Sequence, residues 1–327
     1  MIAFIVRRLF YMIPLLFIVS VITFFIIQLP PGDFFDSMQS EIASQGASQD
    51  AATFQILRER YGLDQPLYVQ YFRWVQGWPE GDFGWSLAWN APVWPLVRDR
   101  LLYTVLLGGF ALLITITYAI PVGIYSATHQ YSWGDNVLSL IGFLGLSLPG
   151  FLLALFWMFL GALVLRIDVG GVISSEFSEM PMSWDKLMNL WNHFWPPAII
   201  LGLASTAQMQ RIMRSSMLDV MGQQYITTAR AKGLKERQVV SKYGVRVAIN
   251  PMISVLALEI PKMISESALV GIVMSLPTTG PLFLRSLQTQ DMYLAGTFLL
   301  FMTFLLMISN LIADIALAWA DPRIAYE

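Results

Sequence analysis

Residues Tyr225-Ile-Thr-Thr-Ala-Arg-Ala-Lys-Gly-Leu234 form the centre of a basic segment that lies between long apolar runs. This segment, Arg211 to Arg246, holds eight of the twenty Lys and Arg residues of the chain and only two acids, Asp219 and Glu236. The eight bases are Arg211, Arg214, Arg230, Lys232, Lys235, Arg237, Lys242 and Arg246. Positive charge between membrane spans is retained on the cytoplasmic side during insertion. The sequence therefore predicts a membrane protein with this segment inside the cell.

The basic segment has the pattern of two short helices with a break between them. Residues 216–232 predict one helix, and Gly233 then supplies the left-handed residue that commonly ends helices. Residues 235–247 predict a second helix that leads into the next apolar run. The segment is therefore expected to form a compact hairpin on the membrane face.

Small and basic residues at the turn suit contact with another protein. Ala229 and Ala231 would keep the turn thin, and Arg230 and Lys232 would pair with acids on a partner. The competing interpretation is a loop whose charge only orients the membrane spans. The residues alone leave docking and simple orientation equally open.

Composition supports the membrane assignment and excludes several kinds of site. Apolar residues make up 56% of the chain and charged residues 13%, against about a quarter charged in soluble domains. The chain has no cysteine, which excludes disulfides and thiolate metal sites. His129 and His193 are too few and too scattered for a metal cluster, and we interpret them as ordinary interface residues. The basic segment has no aromatics besides Tyr225 and Tyr243, so no nucleic-acid partner is expected.

Six apolar stretches are long enough to cross a bilayer, which takes about 20 residues. They run from about Leu9 to Leu29, Leu101 to Ala127, Val137 to Leu165, Pro196 to Met213, Ile249 to Met274 and Leu294 to Trp319. The third contains Pro149-Gly150, and such helix breakers are tolerated where a neighbouring helix or a cavity satisfies the backbone. The predicted fold class is an all-α membrane protein with six transmembrane helices.

Charge placement also predicts the orientation of the chain in the membrane. Arg7 and Arg8 precede the first span, which places the N-terminus inside. An even number of spans returns the C-terminus, with Arg323, to the same side. The first apolar run is too long for a secretory signal and lacks a cleavage site, so we predict a retained anchor.

The predicted organisation has four parts. They are residues 1–30 as anchor and first helix, 31–100 as an extracytoplasmic loop, 101–320 as a core of five transmembrane helices, and 321–327 as a cytoplasmic tail. The outer loop predicts helices at about Ala51 to Tyr61 and about Leu67 to Val75. Its five tryptophans indicate a structured loop on the outer leaflet, or a platform that also receives a soluble partner.

Three charged residues interrupt the fifth apolar stretch. Glu259, Lys262 and Glu266 are spaced so that all lie on one helix face, and Lys262 is expected to pair with both acids. A charge at the bilayer centre costs about 2.5–3.5 kcal/mol, so this face is expected to look toward a helix or a wet cavity. We favour a face that lines a translocation path, which buried membrane charges often mark, over an ion-pair cluster that holds two membrane subunits together.

Several motifs in the same order resemble one protein family. Tyr225 to Leu234, followed by Arg246-Val-Ala-Ile-Asn-Pro251, resembles the coupling-loop signature of ABC importer permeases, and more narrowly the first permease of the oligopeptide/dipeptide family. The other matching motifs are Ile5-Val6-Arg7-Arg8-Leu9, Leu29-Pro30-Pro31-Gly32-Asp33, Tyr61-Gly-Leu-Asp-Gln-Pro66, Gly81-Asp-Phe-Gly-Trp-Ser86 and Asp321-Pro-Arg323. The resemblance covers essentially the whole chain.

The resemblance implies a set of partners and a role for the basic hairpin. The coupling residues would be Thr228, Ala229, Arg230, Ala231, Lys232, Gly233 and Leu234, seated in a cleft of a cytoplasmic ATPase. A second similar permease, two ATPase subunits that bind ATP and Mg, and an extracytoplasmic substrate-binding protein would complete the importer in a bacterial inner membrane. The chain lacks a Gly-x-x-x-x-Gly-Lys-[Ser/Thr] phosphate loop, so it is expected to be a transport subunit and not an enzyme.

The solute is the least determined property. Relatives commonly carry a Glu where Gly271 stands, before Ser275-Leu276-Pro277, and Pro277-Thr-Thr-Gly280 replaces the more usual Pro-Gly-x-Gly. Peptides are the expected cargo, and oligosaccharides or other polar solutes are the alternative within the same class. An ion-coupled secondary transporter and a scaffold without transport activity are the rival functions.

Overall fold

The computed structural model describes residues 2–44 and 51–320, and these residues are mostly helical. The helices are α1 (Ile2–Ile27), α2 (Phe34–Ser44), α3 (Ala51–Tyr61), α4 (Leu67–Gln76), α5 (Val93–Thr128), α6 (Trp133–Ser147), α7 (Gly150–Phe159), α8 (Ser175–Ser178), α9 (Trp184–Met221), α10 (Gln224–Ala231), α11 (Glu236–Gln238), α12 (Arg246–Ala248), α13 (Asn250–Val273), α14 (Thr279–Gln288) and α15 (Met292–Ala320). Strands β1 (Trp85–Ser86) and β2 (Ala91–Pro92) form a small antiparallel hairpin. The predicted tail, 321–327, lies outside the described residues.

Among the residues that the structure describes, three single helices are long and apolar enough to cross a membrane. They comprise Ile5–Ile27, Val93–Thr128 and Met292–Ala316, and they correspond to the first, second and sixth predicted spans. The fourth predicted span lies within α9. That helix is long enough to cross a membrane, but it is less apolar than the other three helices and carries more charged residues.

Two bent helix pairs bring the candidate spans among the described residues to five. One pair is Trp133–Ser147 with Gly150–Leu165, bent by 100°. The other is Glu236–Ala248 with Asn250–Val273, bent by 44°. A layout of six spans therefore remains a prediction.

The third predicted span is broken instead of continuous. Helix α6 ends at Ser147, and Leu148 is extended with φ −105° and ψ 125°. A residue that precedes proline is pushed out of the helical region, and Pro149 then precedes α7. Helix α7 continues as a π-helical turn over Leu160–Leu165. The break changes the direction of the chain by 100°.

Helix α9 is much longer than the apolar stretch from Pro196 to Met213 predicted. The Ser183 hydroxyl caps its start by accepting a hydrogen bond from the Lys186 N–H at 3.2 Å. The first turns mix charged and amide side chains with apolar ones, so no continuous apolar run marks them. At the other end, α9 stops at Met221 and α10 begins at Gln224. The prediction of one continuous helix over 216–232 is therefore wrong.

The chain divides into two compact units, and the first contains Thr104–Leu276 with the terminal segments. Helix α9 packs against α6, α7 and α13 in this unit. Its fully buried Met209, Met213 and Met217 form the centre of the core. A Cβ on Gly123 would lie only 2.6 Å from the Met213 Cβ. Glycine at this position therefore allows the chain around Gly123 to lie directly against α9.

A buried ion pair ties α6 to α9. The Arg214 guanidinium donates to both carboxylate oxygens of Asp135, at 2.9 and 2.8 Å. Asp135 also accepts from the Tyr131 N–H, and its own N–H donates to the Ser132 hydroxyl that caps α6. The bidentate pair fixes both the distance and the rotation of the two helices.

The second unit contains Arg7–Tyr103 and Pro277–Met307. Buried Phe24, Tyr71 and Trp74 form an aromatic cluster between α1 and α4. The Trp74 indole N–H donates to the Phe83 carbonyl at 3.2 Å. The two helices predicted in the outer loop, α3 and α4, are both confirmed. This part of the chain has a packed interior and is not an irregular loop.

The carboxylate of Asp291 fastens the small β hairpin to the start of α15. It accepts hydrogen bonds from the Ser86 hydroxyl at 2.6 Å and from the Ala88 N–H at 3.0 Å. It also accepts from the Leu294 N–H in the first turn of α15, at 3.2 Å. Asp291 is fully buried, and burial raises the pKa of its carboxyl above the ordinary value.

Candidate functional site

The basic segment folds into a hairpin over residues 222–248, which we call the basic hairpin. Its first arm is α10, Gln224–Ala231, and its second arm runs through α11, a π-helical turn and α12. The π-helical turn covers Val239–Val245. The prediction of a two-armed structure is therefore confirmed, although the first arm is shorter than expected.

One face of the basic hairpin is buried against its own chain. Ile226 and Val239 are fully buried, and Ala229 is 4% exposed. These side chains share a cluster with Met213 and Met217 of α9. Burial of apolar area of this kind stabilises the contact by about 25 cal/mol per Å². The hairpin is thus fixed to α9 and is not a free loop.

The tip of the hairpin depends on a left-handed glycine. Gly233 has φ +76°, and a Cβ there would meet nothing within 4 Å. Its N–H donates to the Arg230 carbonyl at 2.9 Å, and the Leu234 N–H donates to the Ala229 carbonyl at 3.4 Å. These bonds satisfy carbonyls that the end of a helix would leave unpaired. The predicted glycine stop is confirmed.

Most of the predicted coupling residues lie on the other, exposed face. Thr228, Ala231, Lys232 and Gly233 are exposed and Leu234 is partly buried. Of the two alanines that we predicted to keep the turn thin, only Ala231 lies on the exposed face. Ala229 is 4% exposed and packs inward, since residues two positions apart on a helix point in different directions.

Arg230 has a partner within the hairpin. Its guanidinium lies 2.6 and 3.1 Å from the two carboxylate oxygens of Glu236. Both side chains are exposed, by 44% and 59%. We predicted that Arg230 would pair with an acid on another protein, whereas in this chain it joins the two arms. Lys232 remains as the exposed base nearest the tip.

The charged residues of α13 do not share one environment. The Glu259 side chain is 4% exposed. It accepts a short hydrogen bond from the Ser205 hydroxyl of α9 and lies 3.3 Å from the Lys262 ammonium. Ser205 is fully buried. Glu259 thus forms part of the contact between α9 and α13.

Lys262 and Glu266 lie on the same helix face as Glu259 and are less buried than it is. The Lys262 side chain is 39% exposed and pairs with Glu259. Glu266 is partly buried and makes no ion pair with a described residue. The expected pairing of Lys262 with both acids is therefore half right. The arrangement leaves Glu266 and part of Lys262 able to meet a solute or a neighbouring subunit.

Two residues of this unit gave little signal in the sequence. Ser205 was missed because a serine within an apolar run is usually unremarkable, and only the nearby acids indicate a need for a polar partner. His193 was interpreted as an ordinary interface residue, yet its side chain is 4% exposed and lies in the wall of a cavity. Within the described residues, no group of three or more His, Cys, Asp and Glu could hold a metal ion.

Family comparisons cover almost the whole chain. Residues 119–326 match the model of the binding-protein-dependent transport system inner membrane component. Residues 1–108 match the model of the N-terminal part of such membrane components. The match to residues 1–108 ends and the match to residues 119–326 begins within α5.

Two curated relatives align over all 327 residues and over their own full length. The oligopeptide transport system permease protein AppB of Bacillus subtilis is 35% identical. The glutathione transport system permease protein GsiC of Escherichia coli K12 is 30% identical. Both are named as permeases of transport systems.

A solved structure supports the fold. A chain of the MetNI methionine ABC transporter, determined in inward-facing conformations, superposes with a TM-score of 0.53 at 14% identity. The match covers 69% of this chain and 96% of that one. This chain belongs to the family of binding-protein-dependent transport system inner membrane components and is a permease subunit of an ABC importer.

Proposed function

We propose that the chain is one of two permeases in an importer for short peptides, with six spans and both termini inside the cell. The observation that carries the proposal is the basic hairpin, which is buried on one face and exposes Thr228, Ala231 and Lys232 on the other. A surface loop that served only to orient the chain would need no fixed shape. A segment that transmits force does need one.

The hairpin is proposed to receive force from a cytoplasmic ATPase. Two ATPase subunits would bind ATP and Mg, and their closure would push on residues Thr228 to Leu234. Ile226 and Ala229 pack in one cluster with Met213 of α9 and Met252 of α13. Because this cluster is close-packed, a displacement of the hairpin would be passed to both helices and not absorbed.

The charged face of α13 is proposed to contribute to the translocation path. Glu259 holds α9 and α13 together through Ser205, while Lys262 and Glu266 point to less buried surroundings. Ionisable residues within membrane helices usually face a cavity or a partner because exposure to lipid is costly. A peptide carries both an ammonium and a carboxylate, so a face with both charges suits such a solute.

Peptides are the proposed cargo because the relatives are named for oligopeptide and glutathione transport. The alternative is an oligosaccharide or another polar solute, since the residues at Gly271 and at Pro277 to Gly280 depart from the usual pattern of the family. A substrate-binding protein is proposed to deliver the solute on the outer side. The outer loop, with exposed Trp85 and Trp89, is the proposed platform for it.

Reconstitution of the complete importer tests the proposal. The chain, its second permease, two ATPases and the binding protein are placed in proteoliposomes, and peptide uptake and peptide-stimulated ATP hydrolysis are measured. Lys262→Ala is expected to abolish both while the complex still assembles. Normal uptake by this variant would exclude Lys262 from the path. Stimulation by an oligosaccharide and not by peptides would contradict the proposed cargo.

An ATP-free assay tests the rival mechanism. An ion-coupled transporter would accumulate solute in ATP-depleted vesicles when an ion gradient is imposed. We expect no uptake under that condition and full uptake when ATP is supplied to the ATPase subunits. Gradient-driven uptake without ATP would contradict the proposal.

A further inference from the structure

A cavity of about 280 Å³ lies beside the loop that joins α7 to α9. Its wall includes Trp157 of α7, Asp168 and Gly170 of the loop, and His193 and Trp195 of α9. The volume is close to the lower limit for pockets that hold small organic ligands, about 300 Å³. Two indole rings, a carboxylate and an imidazole thus face one small space.

Hydrogen bonds at Gly171 and at Ser174 hold the loop that forms the cavity. The Gly171 N–H donates to the Met274 carbonyl at the end of α13, at 2.8 Å. Asn189 accepts from the Ser174 N–H at 3.0 Å and donates to the Ser174 hydroxyl at 2.9 Å. Gly170 has φ +103°, a conformation that favours glycine. These hydrogen bonds therefore hold the loop against α9 and the end of α13.

His193 has a nitrogen without a partner in this wall. Its Nδ1 lies 2.9 Å from the Asn189 carbonyl oxygen, and a carbonyl only accepts, so Nδ1 carries the proton. In the neutral ring Nε2 then presents a lone pair. Nε2 is buried and makes no hydrogen bond to any described residue. A buried polar atom left unpaired costs about 1–3 kcal/mol, which a ligand with a donor would recover.

Asp168 stands next to this nitrogen. Its Oδ2 lies 3.8 Å from His193 Nε2, which is too far for a hydrogen bond but allows one nitrogen to lie about 2.9 Å from both. The Asp168 side chain is 60% exposed and that of His193 is 4% exposed. Two hydrogen-bond acceptors, one on an exposed side chain and one on a buried side chain, thus lie within reach of the same donor group.

We infer that this cavity binds a small ligand through a primary ammonium group. An ammonium group has three donors, two of which would reach Asp168 and His193. Trp157 and Trp195 lie in an edge-to-face arrangement with centroids 5.4 Å apart, and tryptophan is the ring to which cations bind best. Asp168 and His193 supply only two of the four protein ligands of a structural Zn²⁺ site, which favours an organic cation over a metal ion.

Other ligands fit the lining less well. A carboxylate or phosphate would meet the negative charge of Asp168, and an apolar molecule would leave Nε2 unpaired. The inference does not depend on the cargo of the importer, because the amino terminus of a peptide and a simple amine share the same ammonium chemistry. Binding to the chain itself is sufficient to test it.

Calorimetric titration of the full chain in lipid nanodiscs provides the test. Alaninamide, which has an ammonium group and no carboxylate, is expected to bind with a Kd of about 1 mM or tighter. N-acetylalaninamide and N-acetylalanine are expected to bind at least tenfold more weakly. Equal binding of either acetylated compound, or no binding of alaninamide, would overturn the inference. If propylammonium displaces bound alaninamide, the site accepts amines in general. If propylammonium does not displace it, the site is specific for peptide or amino-acid termini.

Two substitutions locate the binding in this cavity. Asp168→Asn removes the charge from an exposed side chain, and His193→Phe keeps a ring but removes the Nε2 acceptor. Each is expected to weaken alaninamide binding about tenfold or more, which corresponds to about 1.4 kcal/mol. The control is Asp185→Asn, which removes an exposed acid of the same unit outside the cavity wall. Unchanged affinity in Asp168→Asn would overturn the inference even if His193→Phe failed to fold.

Discussion

Arg230 and Glu236 are joined by two hydrogen bonds of 2.6 and 3.1 Å that close the basic hairpin around Gly233. The pair connects the end of α10 to the start of α11. It lies on the exposed side, where ion pairs contribute little to stability. Its effect is therefore to fix the shape of the tip and not to hold the hairpin on the protein.

Exchange of the two charges tests whether this pair acts within the chain. Arg230→Glu and Glu236→Arg alone are each expected to lower peptide-stimulated ATP hydrolysis several-fold, because like charges then meet at the tip. The double exchange restores an attractive pair and is expected to recover most of the activity. If the double variant stays as inactive as the single ones, Arg230 acts on a partner protein instead.

Gly233→Ala is expected to uncouple ATP hydrolysis from transport. A left-handed conformation costs a non-glycine residue about 1–2 kcal/mol, so the tip would relax to another shape. Uptake per ATP hydrolysed in proteoliposomes is the measurement. Gly222→Ala is the matched control, because Gly222 has φ −82° and a Cβ there makes only ordinary contacts from 3.7 Å. Equal effects of the two substitutions would contradict a special role for the left-handed residue.

Glu259→Gln and Glu266→Gln are expected to fail in different ways. Glu259 is buried between Ser205 and Lys262, so loss of its charge is expected to destabilise the complex by about 1–3 kcal/mol. Glu266 makes no ion pair with a described residue, so its substitution is expected to leave stability within about 0.5 kcal/mol but to lower transport. Thermal unfolding of the purified complex and peptide uptake separate the two effects. A stable, inactive Glu259→Gln variant would contradict the structural role.

Asp291→Asn is expected to destabilise the second unit, which contains the β hairpin. An amide cannot accept from the Ser86 hydroxyl and from both the Ala88 and Leu294 N–H groups, so about 1–3 kcal/mol is lost. Local hydrogen exchange around Ala88 measures the effect. Asp82→Asn is the control, because that exposed residue keeps an acceptor oxygen for the Gly84 N–H. Equal protection of the amides around Ala88 from hydrogen exchange in the two variants would contradict the proposal that Asp291 anchors the hairpin.

The same carboxyl predicts a dependence on pH. Burial raises the pKa of Asp291 above its ordinary value, so the folded chain holds this proton more tightly than the unfolded chain. The contribution of Asp291 to the unfolding free energy therefore falls as the pH rises from the ordinary pKa of an aspartate through the raised one. Because other carboxyls titrate in both proteins, the measurement is the difference in unfolding free energy between wild type and Asp291→Asn, and the advantage of the wild type should fall across this range.

The features that the sequence predicted well are local ones. Gly233 ends its helix because a single residue type favours φ +76°, and that preference is visible without a structure. The outer-loop helices, α3 and α4, likewise follow from local pattern. The family motifs, spread over the whole chain, predicted the class of protein that the relatives confirm.

The features that the sequence missed depend on contacts between distant residues. The break at Gly222 is invisible because glycine with φ −82° and a polar neighbour is also compatible with a continuing helix. Ser205 and Glu259 are 54 positions apart, and their pairing requires α9 and α13 to be adjacent. The position of His193 could not be predicted for the same reason, because the cavity that its ring lines is completed by Asp168 from a separate loop.

Site-specific crosslinking tests the central claim most directly. The chain has no natural cysteine, so single cysteines at Thr228, Ala231 and Lys232 can be crosslinked to the ATPase subunits in an importer that is hydrolysing ATP. We predict crosslinks from these three positions and none from a cysteine at Trp89, an exposed residue of the loop that we propose lies outside. An active importer in which none of the three positions reaches an ATPase subunit would contradict the account.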